Sequence, residues 1–235
     1  MARWDCRCSR PAGRERKRKL CLLRFLNCDF ENGFELGKIN AQTPQEVDLK
    51  ALAYVVGLAL GDGNLSNPNG RATKLRITCD TRYPNLIRRI VNALETILPT
   101  NKVSILERPD NCLDVYCHSN RLESLLGWKA HGGSKYVQRV GVPDWIKRNR
   151  AYSKNCLRGL FETDGSIYRD RGYLMSMFVT IIPSLAQDVP EMISDLGFTA
   201  HTYHIQQVPP QQDRYNIRVS KKTAQFVQFV GITKD

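Results

Sequence analysis

Val55-Val56-Gly57-Leu58-Ala59-Leu60-Gly61-Asp62-Gly63 and Leu157-Arg158-Gly159-Leu160-Phe161-Glu162-Thr163-Asp164-Gly165 are two copies of one pattern in a chain of 235 residues. Each copy sets small residues four apart (Gly57 and Gly61, Gly159 and Thr163), then an aspartate, then a glycine. On a helix this spacing makes a flat face that a second helix can approach closely. If the two copies pack through these faces, Asp62 and Asp164 meet at one end of the contact. Two carboxylates so placed suit a hard divalent cation, which prefers oxygen ligands and retains waters for a reaction.

The flanking segments repeat as well. Thr43-Pro44-Gln45-Glu46 reads as a helix start with Thr43 as N-cap and Pro44 in the first turn, and the helix runs to Leu60. Its second half is apolar on every side, which requires burial all round. Lys74–Asp80 alternates strictly and reads as a strand, with Lys74, Arg76, Thr78 and Asp80 on its polar face. An amphipathic helix at 84–98, strands at 102–107 and 112–118 and a short helix at 121–128 complete the unit. After a connector at 131–149, the pattern returns: a helix over 152–163, a strand over 173–182 and a helix over 183–196. Strands over 199–207 and 214–220 and a helix over 222–230 follow. With a short strand after each Asp-Gly, both halves read helix, hairpin, helix, hairpin, helix, and the register sets Val115 against Ile217. The expected organisation is an appendage over 1–42, a first repeat over 43–130, a linker over 131–149 and a second repeat over 150–235, related by a pseudo-dyad.

Composition restricts the function classes. The formal charge is +12, from 35 Lys and Arg against 23 Asp and Glu. Residues 1–50 hold eleven bases and seven acids, so +8 of the surplus lies on the repeats. A polyanionic partner fits that balance. The eight cysteines contain no Cys-x-x-Cys pair. Cys6, Cys8, Cys21 and Cys28 match no common zinc spacing, so free thiols in a reducing, intracellular setting are expected. The Arg-rich N-terminus does not read as a secretory signal, and Ala51–Leu60 is too short to span a bilayer, so a soluble protein without a membrane partner is expected. The chain opens Met1-Ala2 and closes Lys234-Asp235, and no protein-splicing block is expected.

The two nonapeptides, with the elements between and after them, resemble the motifs of the double-motif, single-chain LAGLIDADG homing endonucleases from about residue 46 onward. That resemblance implies an α+β fold of two pseudo-symmetric αββαββα repeats, each with an antiparallel saddle-shaped sheet, packed through the two motif helices. It implies that Asp62 and Asp164, at the eighth motif position, are the metal-binding catalytic acids, with the backbone carbonyls of Gly61 and Thr163 as further ligands. The sixth position holds Leu60 in the first copy and Glu162 in the second. Mg2+ is the implied cofactor, with Mn2+ or Ca2+ able to replace it for binding. The family supports its acids with polar or basic residues from nearby strands; by position these are Asp80, His118, Lys221 and Lys222, while Ile182 stands opposite Asp80 in register and cannot serve.

For DNA contact the outward strand residues Lys74, Arg76, Thr78, Asp114 and Tyr116 are matched with Thr202, His204, Gln206, Asn216 and Arg218. Loop residues Arg71, Arg169 and Arg171 are assigned to phosphates. The implied activity is site-specific hydrolysis of double-stranded DNA by a monomer, on a long and partly asymmetric target, leaving short 3′ overhangs, in an intron-encoded protein. The same resemblance leaves open an intron RNA maturase or a DNA-binding regulator that does not cleave.

Overall fold

The computed structural model describes residues 47–67 and 70–235. The Cys6, Cys8, Cys21 and Cys28 cluster and the Thr43 cap lie outside these residues. Helix α1 (Leu49–Leu60) begins instead at Asp48, whose carboxylate accepts from the Lys50 and Ala51 backbone N–H groups. The first helix is thus capped five residues later than the Thr-Pro-Gln-Glu signal predicts. An Asp side chain there satisfies the same orphan donors.

The first repeat continues through β1 (Gly63–Ser66), β2 (Lys74–Asp80), α2 (Pro84–Ile97), β3 (Val103–Glu107), β4 (Cys112–His118) and α3 (Leu122–Leu126). The connector holds a one-turn helix, α4 (Asp144–Lys147). The second repeat is α5 (Arg150–Thr163), β5 (Gly165–Asp170), β6 (Tyr173–Thr180), α6 (Pro183–Asp195), β7 (Thr199–Ile205), β8 (Arg214–Ser220) and α7 (Thr223–Val230). The strands form two four-stranded antiparallel sheets with equivalent orders, β1-β2-β4-β3 and β5-β6-β8-β7.

The pairings also place the repeats in register. Ile77 lies between Gly63 and Val115, and Phe178 lies between Gly165 and Ile217. Ile77 and Phe178 are therefore equivalent, and β6 runs one residue ahead of the 102-residue offset. Asp80 consequently corresponds to Ile181 and not to Ile182. The cause is the connection between the first two strands of each repeat. Arg171 and Gly172 make a two-residue turn, both at positive φ, whereas the first repeat uses seven residues between Ser66 and Lys74.

Helices α1 and α5 form the seam between repeats. Every residue of α1 from Leu52 to Leu60 is buried, as an apolar face on all sides requires. A Cβ on Gly159 would lie 2.5 Å from the Tyr54 carbonyl oxygen and 2.6 Å from the Leu58 amide nitrogen, and one on Gly57 would fall on the Cys156 carbonyl. The backbones touch, and only glycine fits at the two crossing points.

One ionic cluster crosses this seam. Glu162 is buried, and its carboxylate accepts from Tyr54 Oη at 2.5 Å, Arg158 Nε at 3.0 Å, Arg89 Nη2 at 3.4 Å and the Thr233 N–H at 3.2 Å. Burial and then the Glu162 charge push the Tyr54 phenol above its ordinary range. Glu162 therefore ties α1, α2, α5 and the tail after α7 together. Replacing it by Ala leaves two guanidinium groups without their buried counter-charge, and such losses cost about 3–5 kcal/mol. Glu162→Ala is expected to lower unfolding free energy by about that amount in denaturant titration, and an unchanged midpoint would contradict the reading.

Candidate active site

Both motif helices end at the same place. The Gly61 N–H closes α1 on Gly57 O, and the Asp164 N–H closes α5 on Leu160 O. The next residues turn at once into β1 and β5, so each Asp sits between a helix C-terminus and the first strand of a sheet. The Gly63 and Gly165 positions are packed against the Ala59 and Phe161 backbones, which fixes the turn.

Asp62 and Asp164 come together here: a Cβ on Gly61, the residue before Asp62, would lie 3.5 Å from Asp164 Oδ2. Both remain open to solvent on one side. The dense packing beneath them nevertheless raises both carboxyls above the usual range, with Asp164 pushed up to about 6 by desolvation and then by the Asp62 charge. Two carboxylates that repel each other in this way are a site that a cation stabilises. Their hard oxygen donors suit Mg2+, which keeps several of its own waters. No group of three or more His, Cys, Asp or Glu able to hold a metal occurs among the described residues, so the two aspartates are the side-chain donors available.

Two lysines flank the pair. Lys135 Nζ donates to the carbonyls of Ala59 (3.1 Å), Leu60 (2.6 Å) and Gly61. Lys234 Nζ donates to the carbonyls of Thr163 (3.0 Å) and Gly165. Each ammonium thus covers the negative end of one motif helix. Burial lowers the pKa of both, and the two aspartates oppose that shift. The Gly61 and Thr163 carbonyls assigned to a metal are therefore each engaged by a lysine, leaving one lone pair apiece.

Three of the four catalytic-support assignments move. His118 lies at the end of β4 remote from Asp62: it pairs with Lys74, whereas Gly63 aligns with Ile77 and Val115. At about 3.3 Å per residue the separation along the sheet is about 13 Å. Lys221 and Lys222 follow the far end of β8, about 17–20 Å from Asp164 by the same spacing. They line a separate cleft of about 670 Å³ with Arg171 and Arg218. Asp80 stands at the end of the outer strand face and is closed on Arg82, with Nη2 at 2.6 Å. Beside it on β2, the Cys79 thiol is pushed up to about 12 by burial and then by Asp62.

The positions the lysines take do carry a sequence signal. Gly132-Gly133-Ser134-Lys135 and Gly231-Ile232-Thr233-Lys234 follow the last helix of each repeat with the same Gly-x-Ser/Thr-Lys pattern. They sit 99 residues apart rather than 102, and neither lies in a periodic segment.

The outer sheet faces follow from the pairings. On the first sheet Lys74, Arg76, Thr78 and Tyr116 share one face, as expected. Lys74 Nζ lies 4.0 Å from the Tyr116 ring centroid. Asp114 is on this face but is buried, accepting from Thr78 Oγ1 at 2.8 Å with Arg76 and Arg108 each at 3.8 Å. It holds its neighbours in place and does not itself face outward. On the second sheet Asn216 and Arg218 pair with Tyr203 and His201, so these four share the outer face. Thr202 and His204 pair with Ile217 and Tyr215 on the helix side instead. His204 is stacked on Tyr215 at 4.7 Å and bonded to Asp213 at 2.8 Å. Gln206 lies beyond the end of β7. Arg71, Arg169 and Arg171 are exposed.

Residues 151–229, nearly the whole second repeat, match the family model described as a LAGLIDADG-like domain. The second repeat is thus similar to a LAGLIDADG-like domain. Structures of the homing endonuclease I-DmoI have the same fold. One, of its mesophilic variants, superposes with a TM-score of 0.57 at 17% identity over 79% of this chain and 97% of that one. Another, I-DmoI in complex with DNA and Ca, gives 0.56 at 18% identity over 79% and 90%. The N-terminal LAGLIDADG domain of DUF199/WhiA gives 0.54 at 13% identity over 82% and 88%. No curated protein sequence matches significantly. The two repeats and their sheets are thus the expected α+β architecture, with the fold seen in these structures. Among the described residues no helix is long and apolar enough to cross a membrane.

Proposed function

We propose that this protein is a site-specific, divalent-metal-dependent double-strand DNA endonuclease of the LAGLIDADG family, acting as a monomer. The observation that carries the reading is the meeting of Asp62 and Asp164, each at the end of a motif helix and each backed by a lysine. A family member without cleavage chemistry has no use for two mutually repelling carboxylates held at an open surface.

The roles follow from the arrangement. Asp62 and Asp164 would hold the metal between the two sheets, where both strands of a bound duplex pass. When bound, Mg2+ supplies charge stabilisation for the transferring phosphoryl group and a water of lowered pKa. Lys135 and Lys234 place two further positive charges beside the scissile phosphates, where negative charge builds up in the transition state. Arg76, Lys74, Thr78 and Tyr116 face one half-site, and Asn216 and Arg218 face the other. Arg171, Lys221 and Lys222, together in their cleft, suit backbone phosphates and set affinity and salt dependence rather than sequence. An RNA maturase or a silent regulator on the same fold is the competing reading.

Incubation of the full chain with a randomised duplex library, with Mg2+ against EDTA, tests the proposal. Metal-dependent recovery of fragments sharing one cleavage site with 3′ overhangs is expected. Selective binding without any cut product would transfer the reading to a DNA-binding regulator. Lys135→Met and Lys234→Met are each expected to slow cleavage about a hundredfold, the usual cost of losing one transition-state charge partner. DNA affinity, measured in Ca2+, should change less than tenfold. Equal losses in affinity and rate would mean that the lysines serve only to bind.

A further inference from the structure

The two DNA-side faces, aligned through Ile77 and Phe178, have opposite chemistry along their second strands. Lys74, Arg76, Thr78 and Asp80 of β2 are replaced, position by position, by Met175, Met177, Val179 and Ile181 in and just after β6. Strand β6 thus presents no hydrogen-bonding side chain between Tyr173 and Ile181 on that face. Tyr173 is 75% exposed and Ile181 43%, and Tyr168 and Tyr203 on the same face are 43% and 47% exposed. Met175, Met177 and Val179, between Tyr173 and Ile181, are partly exposed among the described residues.

It is continuous with groups suited to DNA. Met177 pairs directly with Arg218 and Val179 with Asn216. Asn216 Oδ1 and Arg218 Nε, both buried atoms, have no hydrogen-bond partner among the described residues. Ile181 and Val179 also line a cleft of about 340 Å³ that contains Asp164, Gly61 and Lys135. The row therefore runs from the acids outward along one half-site, flanked by cations at its far end (Arg171, Lys221 and Lys222). A duplex laid across the acids meets it.

Resting on the endonuclease reading, we propose that β6 recognises the C5-methyl groups of pyrimidines in the major groove, so that the second half-site is rich in T·A pairs while the first is read by hydrogen bonds. In the major groove the C5-methyl is the apolar feature a base edge offers, and apolar side chains recognise thymine by it. Met175 and Met177 are unbranched and polarisable and adapt to small shifts of the groove wall. The first sheet, with Arg76 held by Asp114 and Lys74 over Tyr116, is built for the opposite task. Asymmetry of the target follows from the asymmetry of the two strands.

The test uses the unmodified full chain with Ca2+ and a randomised duplex library. The expected result is enrichment of T·A pairs over three or four positions on one side of the centre, and of no such run on the other. The enriched duplex is then rebuilt with deoxyuridine at those thymines, which removes only the methyl groups. Affinity should fall about fourfold for each methyl removed, while the same exchange in the other half-site has no effect. Restoring the methyl with 5-methylcytosine opposite guanine separates recognition of the methyl from recognition of the whole base, and partial recovery relative to cytosine is expected. A selected site with no thymine run, or one indifferent to deoxyuridine, overturns the inference and leaves the endonuclease reading intact. Failure to enrich any duplex, or enrichment only of single strands, overturns both.

Discussion

Asp62→Asn and Asp164→Asn are each expected to abolish cleavage of both DNA strands, by about a thousandfold or more, while DNA binding persists. The exchange is isosteric, so the helix seam and the turns into β1 and β5 keep their shape. What changes is charge. The two carboxylates are coupled, the Asp62 charge helping to hold the Asp164 carboxyl above its ordinary range, so they behave as one site, and losing either anion removes half of the charge that would hold the cation. A thousandfold corresponds to about 4 kcal/mol of transition-state stabilisation, within what a bound metal supplies at a phosphoryl group. The coupling makes a sharper claim than loss of activity. If each Asp served one strand alone, each single variant would leave a nicked product. Because the acids meet, neither strand should be cut by either variant. Supercoiled plasmid carrying the selected site distinguishes these outcomes, since nicked and linear forms separate on a gel. Rapid nicking by one variant would show that the acids act independently, and parental rates in both would remove them from the site.

The parts of this arrangement that the sequence makes legible are those written in local pattern. Alternation in Lys74–Asp80 and Cys112–His118 gives the strands and their faces. The doubled Gly-x-x-x-Gly/Thr-Asp-Gly segments give the seam and the acids. Alternation shows which side of a strand a residue occupies but not which end of the strand lies by the site. His118, Lys221 and Lys222 were placed on that missing information, and the antiparallel pairings carry their ends away from the acids. Strand β7 misleads for another reason. It is an edge strand with nearly every residue exposed, so no buried face fixes its phase. Only its pairing to β8 shows that His201 and Tyr203, not Thr202 and His204, accompany Arg218 and Asn216. The apolar row on β6 was hidden by a one-residue difference in register between the two hairpins. Lys135 and Lys234 escaped because they act through backbone carbonyls from aperiodic segments, where the signal is a four-residue pattern and not a helix or strand.

Gly57→Ala and Gly159→Ala are expected to be severely damaging methyl additions, each costing about 3 kcal/mol or more. Overpacking a core usually costs about 1–3 kcal/mol because side chains can yield. Here the added methyl meets backbone: the Tyr54 oxygen and Leu58 nitrogen for Gly159, the Cys156 carbonyl for Gly57. Relief requires the two helices to separate or slide, and both motions act on groups already committed elsewhere. Separation opens the buried row from Leu52 to Leu60 and stretches the Tyr54–Glu162 bond of 2.5 Å. Sliding moves Asp62 relative to Asp164. The intrinsic helix preference for Ala over Gly, about 1 kcal/mol in favour of the variants, is too small to offset the clash. Gly70 is the control, since nothing lies within 4 Å of an added Cβ there. Its φ of +64° makes Gly70→Asn the appropriate exchange, because Asn tolerates that region. Thermal and denaturant unfolding should show a large loss for both seam variants and a change within about 0.5 kcal/mol for Gly70→Asn. Cleavage by any folded fraction of the seam variants should fall as well, because a displacement of about 1 Å between reacting groups costs on the order of a hundredfold in rate. Unfolding midpoints equal to the parent would mean that the helices do not meet at Gly57 and Gly159, and the pairing of Asp62 with Asp164 would lose its basis.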